Sequence, residues 1–167
     1  MISFVLVYLA GIPLAVFLHE FGHACGSLLT SKERVAVYLG PMNETNKEQF
    51  RISKISFHIR WAYYGFCVGP KSEKERTGFQ RLLFFAGGPA ASLSLAVLSF
   101  IAADYISHWG IQNFIKGFMY FNFYLFIGTI IPVIYPKWMG PYAGHQSDGY
   151  QILKILQLQK KPAGKSE

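Results

Sequence analysis

The sequence predicts an α-helical membrane protein with a three-transmembrane-helix core. A small β-hairpin or sheet is expected as an insertion at the cytoplasmic membrane surface, followed at the C-terminal end by an interfacial helix. Of the 167 residues, 51% are hydrophobic and only 15% are charged. Three segments contain no Asp, Glu, Lys or Arg: Met1–Leu18, Leu82–Ala103 and Gly117–Pro136. Each is close to the roughly 20 residues that cross about 30 Å of hydrocarbon. On length, the chain forms one domain.

The elements are expected in a simple order along this domain. Helix one is predicted over residues 2–30, the β-rich insertion over 31–78 and helix two over 79–103. Helix three follows over 113–136. The remaining stretch, 137–161, is expected to hold a loop that contains Asp148 and then an amphipathic helix, because apolar residues recur among Lys and Gln there.

The insertion is too polar to span a membrane and has the periodicity of strands. Apolar residues alternate with others over Val35–Leu39 and again over Ile55–Trp61. Gly40–Glu44 supplies turn-forming residues between the two runs. The edge of such a sheet either packs at the membrane surface or pairs with an extended substrate.

The basic residues predict the orientation. Ten of the 16 Lys and Arg residues lie within Ser31–Arg81 and five follow Pro136, whereas the connection Asp104–Lys116 has one. This is the positive-inside pattern. We therefore expect a multi-pass cell-membrane protein whose long loop and tail are cytoplasmic. The same distribution argues that the net charge of +7 serves membrane topology and not nucleic-acid binding.

Helix one contains the pentapeptide His19-Glu20-Phe21-Gly22-His23. Residues four apart share one face of a helix, so the two imidazoles can bind a single cation, and zinc suits neutral imidazole. Glu20 lies about 100° further around the helix, where it can take a proton from water without being a ligand. The pattern predicts one zinc ion per chain, near the cytoplasmic end of helix one, with Glu20 as general base.

A catalytic zinc ion normally has a third protein ligand. Asp148 is the favoured candidate, because it follows helix three on the same side of the membrane as the histidines. Asp104 is expected on the outer side. His145 is the alternative ligand, or else a residue that contacts the substrate or a ligand, and Glu44 is a weaker candidate.

Helices two and three contribute further candidates. The small residues of Ala86–Ser92 favour close packing between membrane helices. Asn122 needs a hydrogen-bond partner in the bilayer and is more typical of a contact between helices than of catalysis. Asn122, Ser92 and His145 are nevertheless kept as weaker candidates for substrate binding or for stabilising an oxyanion.

Three motifs together resemble the site-2 protease family of intramembrane zinc metallopeptidases. They are HEFGHA at His19–Ala24, GPAAS at Gly88–Ser92 and SDG at Ser147–Gly149. The motifs occur in the family's order and span most of the chain. The resemblance implies a three-helix catalytic core in which a strand region after the first helix helps to hold an extended substrate. The chain departs from the family in having Gln146-Ser147 ahead of the Asp-Gly pair.

The resemblance also implies zinc ligands His19, His23 and Asp148, with Glu20 as general base. The expected function is therefore an intramembrane zinc endopeptidase that hydrolyses a peptide bond in a membrane-anchored or membrane-associated polypeptide. Its partners are that substrate and the lipid bilayer, with a regulatory membrane protein left open. The alternative is a noncatalytic zinc-binding membrane module that assists peptide binding or export. An intact Glu20 favours the enzyme, because a purely structural metal has no use for that carboxylate, and a buried ionisable residue in a membrane helix is costly.

Overall fold

The computed structural model describes residues 2–69 and 76–160. Its elements are α1 (Ile2–Leu6), a π-helical segment (Val7–Gly11), α2 (Ile12–Leu28), β1 (Val35–Leu39), β2 (Phe50–Ile52), β3 (Ile55–Ile59), β4 (Gly65–Val68), α3 (Gly78–Ala103), α4 (Trp109–Ile130), a 3-10 segment (Lys137–Tyr142) and α5 (Asp148–Lys160). Two helical stretches, Ile2–Leu28 and Gly78–Ala103, are long and apolar enough to cross a membrane, by length and composition. A third spanning helix stays a prediction.

The helices pack closely where the sequence has small residues. A side chain at Gly22 would collide with the Gly87 carbonyl, and one at Gly26 would collide with the backbone of Leu83. Helices α2 and α3 therefore touch backbone to backbone, as the run of small residues predicted. Helices α4 and α5 both pack against α3, which places α3 at the centre of the helical part.

Helix α4 differs from the predicted 113–136 at both ends. It starts at residue 109, because the His108 side chain caps it by accepting a hydrogen bond from the Ile111 N–H at 3.4 Å. It ends at Ile130, because Ile131 precedes Pro132 and has extended backbone with ψ 127°. The absence of charged residues as far as Pro136 had predicted a longer helix.

The insertion is a four-stranded mixed sheet in the order β2-β3-β1-β4. The two predicted strand runs are parallel neighbours, with Val37 opposite Phe57, and Trp61 lies beyond the end of β3. The turn at Gly40 does not close a hairpin between the two runs, because the buried Asn46 side chain bonds to the backbone carbonyls around the turn. The Asn46 amide donates to the carbonyl oxygens of Leu39, Pro41 and His58, and the chain then continues outward to β2.

The apolar core lies between this sheet and α2. The buried residues of β1 and β3 face Ala24, with partly buried aromatic and aliphatic side chains of α2 closing over them. The cluster comprises Ala24, Val35, Val37, Ile55 and Phe57, flanked by Phe17, Phe21, Leu28 and Cys67. One face of α2 is thereby fixed against the sheet, and this contact sets the direction in which its polar residues point.

Candidate metal centre

His19, Glu20 and His23 lie in the regular part of α2 and are all buried, at 4%, 8% and 5% exposure. The two histidines are one helical turn apart and their ring centroids are 4.9 Å apart. Their Nε2 atoms are separated by 3.2 Å. The i, i+4 spacing therefore brings two potential ligand atoms to one point, as the sequence predicted.

Asp148 brings a third ligand atom to the same point. Its Oδ2 lies 3.3 Å from His19 Nε2 and 3.4 Å from His23 Nε2. Among the described residues, these are the three that form a group of ligand type with atoms close enough to hold a metal ion. The three atoms form a nearly equilateral triangle. An ion bound tetrahedrally at about 2.0–2.1 Å from each atom would hold them about 3.3–3.4 Å apart, so the residues fit such an ion.

The hydrogen bonds of the imidazoles leave Nε2 free to bind. His23 Nδ1 is 2.8 Å from the Phe84 carbonyl oxygen, which can only accept, so the proton of a neutral His23 sits on Nδ1. His19 Nδ1 lies 2.9 Å from Ser92 Oγ. Both partners belong to α3. Contacts of this kind orient metal-binding histidines, and the Phe84 carbonyl also fixes the His23 tautomer in which Nε2 carries the lone pair.

The charge of Asp148 suits a cation at this position. Burial of the carboxyl favours its neutral form, but attraction to the His23 and His19 rings and the hydrogen bonds from them outweigh burial and lower the pKa of Asp148 to about 2. The carboxyl is thus ionised, and its negative charge faces two imidazoles. A metal ion would supply the positive charge that protons on those rings otherwise provide.

Asp148 is held in place by the start of α5, where a loop had been expected. Fully buried Ser147 caps this helix, since its Oγ accepts from the Tyr150 N–H at 3.1 Å. The same hydroxyl donates to the Ile131 carbonyl at 2.7 Å, which ties the new helix to the end of α4. A side chain at Gly149 would collide with the Ile130 carbonyl. Asp148 is therefore positioned by backbone packing on α4.

Gly88 shapes the wall of the site that α3 provides. A Cβ there would lie 2.7 Å from His19 Nε2 and would also collide with His23 Nε2. The backbone of α3 can approach the ligand atoms only because residue 88 has no side chain. The glycine of the GPAAS motif thus leaves room where an ion would bind.

Glu20 points toward β4 and stays outside the triangle. Its carboxylate lies close to the Cys67 backbone N–H. A Cβ on Gly65 would lie 2.9 Å from Glu20 Cγ, so the strand rests directly on this side chain. The missing side chain at Gly65 is what permits this close approach.

Strand β4 is an edge strand of the sheet, and its unpaired side faces the site. Gly40 N–H bonds to the Tyr64 carbonyl, and the register pairs Tyr38 with Phe66. Because paired residues alternate in an antiparallel ladder, the N–H and C=O groups of Gly65 and Cys67 point away from β1. They point to a cavity of about 790 Å³ that is lined by the histidines, Glu20, Asp148 and several aromatic side chains.

The other sequence candidates take different places. Ser92 contacts His19 and not the cavity, and Asn122 is fully buried in α4, where it donates to the Phe118 carbonyl. His145 is exposed, with its ring 5.8 Å from that of Phe66 on the cavity wall. Glu44 is exposed in the turn region, outside the ligand group. Asp104 follows α3 some 16 residues, or about 24 Å of helix, beyond Gly88.

Sequence reasoning missed four contributors to the site. The Phe84 carbonyl has no signal in a sequence, since any residue supplies one. Ser147 had one, because a serine directly before a helix is a common cap. Strand β4 had no recognisable sequence signal, because Gly65–Val68 is too short for its periodicity to stand out. Tyr142 had none either, because its hydroxyl bonds to Gly65 across 77 residues.

Comparison with protein-family models, with curated proteins and with solved structures gave no match. The structure establishes a mainly helical fold with two helical stretches long and apolar enough to cross a membrane, a small mixed sheet and a buried His-His-Asp group able to hold a metal ion.

Proposed function

We propose that this protein is an intramembrane zinc endopeptidase of the site-2 protease type. The observation that carries the proposal is the triangle formed by His19 Nε2, His23 Nε2 and Asp148 Oδ2, with sides of 3.2, 3.3 and 3.4 Å. Two imidazoles and a carboxylate are a typical catalytic zinc set, which leaves the fourth position for water or substrate. The ordered HEFGHA, GPAAS and SDG motifs agree with the same assignment.

Glu20 gives the site its hydrolytic character. It is buried beside the ligand atoms without being one of them, which is the position of a general base in H-E-x-x-H peptidases. Water adds to the carbonyl carbon of the scissile bond as Glu20 accepts a proton from it. Glu20 then returns this proton to the amine as the C–N bond breaks. A zinc ion, when bound, would polarise the carbonyl and lower the pKa of the water.

The open edge of β4 is the proposed docking place for the substrate backbone. An extended peptide can pair there with Gly65 and Cys67 and so pass next to Glu20. The apolar and aromatic walls of the cavity suit the hydrophobic residues of a membrane segment. A helical segment has its own N–H and C=O groups paired, so the substrate must be unwound locally before it can dock.

The proposed setting is the cytoplasmic half of a multi-pass membrane protein. The stretches Ile2–Leu28 and Gly78–Ala103 have the length and composition of spans, and we propose α4, which packs against α3, as a third. The basic residues of the insertion and the tail favour a cytoplasmic location for both. A membrane-embedded peptide reaches the cavity from the bilayer in this arrangement.

Two substitutions test the proposal together. Asp148→Ala removes a ligand, and we expect the zinc content of purified protein to fall from about one per chain to a small fraction. Glu20→Gln keeps the shape and the ligands, so zinc should stay near one per chain while cleavage falls about 10²–10⁴-fold. Cleavage is measured by mass spectrometry of new protein N-termini in membranes from producing cells.

The matched control is Glu44→Gln, which changes an exposed carboxylate in the same way and should affect neither zinc nor cleavage. Equal sets of new N-termini from wild type and Glu20→Gln would exclude hydrolysis and leave the noncatalytic module. Zinc retained in Asp148→Ala but lost in His145→Ala would assign the third ligand to His145.

A further inference from the structure

The Tyr142 hydroxyl occupies the open edge of β4. It accepts a hydrogen bond from the Gly65 N–H at 2.9 Å and donates one to the Gly65 carbonyl at 3.3 Å. A residue of an added antiparallel strand would make these same two bonds to Gly65. One hydroxyl, being both donor and acceptor, thus takes the place of a peptide unit.

The contact lies at the point of the edge nearest to Glu20. Gly65 is the residue whose Cβ would lie 2.9 Å from Glu20 Cγ. The Tyr142 ring packs against Phe66 and Tyr135, with centroids 5.5 and 5.9 Å away. Burial raises the pKa of Tyr142 above its ordinary value, so the hydroxyl keeps the proton that it donates.

The segment that carries Tyr142 is a loop with a closed base and a glycine near its tip. The 3-10 segment lies in a loop whose base is closed by bonds from Tyr135 N–H to the His145 carbonyl and from Gly144 N–H to the Tyr135 carbonyl. Gly140 and Gly144 have positive φ, at 57° and 78°, and open space around them. The loop can therefore change path at Gly140, two residues ahead of Tyr142, while the bonds at its base remain.

We propose that Tyr142 is a gate on the substrate-docking edge. In the substrate-free protein it holds the peptide-pairing position on Gly65, and an extended substrate takes over both hydrogen bonds and displaces the ring. This inference rests on the proposed function. Only a segment that offers a free N–H and a free C=O can replace the hydroxyl, so the gate selects unwound peptides over helical ones.

Tyr142→Phe tests the gate, because it removes the hydroxyl and keeps the ring. Two probes separate docking from metal binding: a dipeptidyl hydroxamate with apolar side chains, which reaches β4, and acetohydroxamate, which reaches the metal alone. In zinc-loaded protein we expect Tyr142→Phe to bind the dipeptidyl compound about 5–10-fold more tightly, since about one net hydrogen bond no longer competes. Acetohydroxamate should bind both proteins equally.

Tyr135→Phe is the matched control and should change neither affinity, because the Tyr135 hydroxyl bonds to the Gly128 carbonyl instead.

Hydrogen exchange of the Gly65 amide gives a readout that needs no ligand. It should be slow in wild type and in Tyr135→Phe, faster in Tyr142→Phe, and slow again when the dipeptidyl hydroxamate is bound. Unchanged exchange and unchanged dipeptidyl affinity in Tyr142→Phe, with acetohydroxamate still bound, would overturn the gate alone. Weaker dipeptidyl binding in Tyr142→Phe would also overturn it. If neither hydroxamate binds wild type, the metal centre of the proposed function fails and the gate fails with it.

Discussion

The two faces of α2 make different kinds of contact, one polar and one apolar. Toward α3 and α5, His19 and His23 present buried polar atoms, each with a partner at a defined distance. Toward the sheet, Phe17 and Phe21 pack against Phe57 with centroids 5.9 and 6.1 Å away. The first face depends on a few distances, and the second depends on buried apolar area. Substitutions on the first should therefore change metal binding, and substitutions on the second should change stability.

The largest effect is expected for Gly88→Ala on the metal-binding face. Alanine favours a helix by about 1 kcal/mol over glycine, so α3 should remain folded. The added methyl group, however, would collide with both Nε2 atoms and would lie 2.7 Å from that of His19. We expect zinc to fall below about a tenth of an ion per chain, as at loss of a ligand. Metal analysis of the purified protein measures it.

Gly128→Ala is the matched control for Gly88→Ala. It is also a helical glycine, but among the described residues no atom beyond its own helical turns and chain neighbours lies within 4 Å of its added Cβ. Its zinc content should equal that of wild type. A Gly88→Ala protein that keeps one zinc per chain would place the bound ion away from the His19–His23 pair. The polar face of α2 would then not be the metal-binding face.

The next largest effect is expected for Phe57→Ala on the sheet face. Phe57 is 3% exposed, and truncating a buried phenylalanine costs about 3–5 kcal/mol of stability. Denaturant unfolding in detergent, followed by tryptophan fluorescence, should show this loss. Zinc content under folding conditions should remain near one per chain, because no ligand atom contacts the sheet core.

Phe50→Ala provides the control for this face. Phe50 stacks on Phe57 from β2 with centroids 4.7 Å apart, but it is 45% exposed. Its loss should cost well under half as much as that of Phe57. If Phe57→Ala released zinc while the folded fraction stayed high, the two faces would not be independent.

The sequence was most informative where function depends on local spacing. His19 and His23 needed only the helical period, and the positive-inside pattern with the order of elements was enough to favour Asp148 over Asp104. The apolar alternation of β1 and β3 likewise located two strands. In each case the sequence signal lies within one helix or strand, or in the side of the membrane on which that helix is predicted to end.

Contacts between distant elements were not predictable. His19 meets Ser92 across 73 residues, and Gly65 meets Tyr142 across 77. Which serine or tyrosine makes the contact depends on the register between packed elements, and that register is set by close backbone contacts such as those at Gly22 and Gly26. The parallel pairing of β1 with β3 was hidden for a similar reason, because a single buried Asn46 redirects the chain.

The smallest effect is expected for Ser92→Ala, and it tests whether the polar face depends on orientation as well as on ligands. Ser92 is fully buried, and its Oγ lies 2.9 Å from His19 Nδ1. Alanine leaves that ring nitrogen without its partner and lets the ring turn, while all three ligands remain. Losing such a partner typically costs about 10–100-fold in metal affinity, so a chelator competition should show a weaker site at nearly unchanged stoichiometry. The control is Ser99→Ala, another buried serine of α3 two turns further along, whose change should leave the affinity within about twofold. Equal affinities of Ser92→Ala and Ser99→Ala would mean that His19 is held by α2 alone, and α3 would then shape the site only through Gly88 and Phe84.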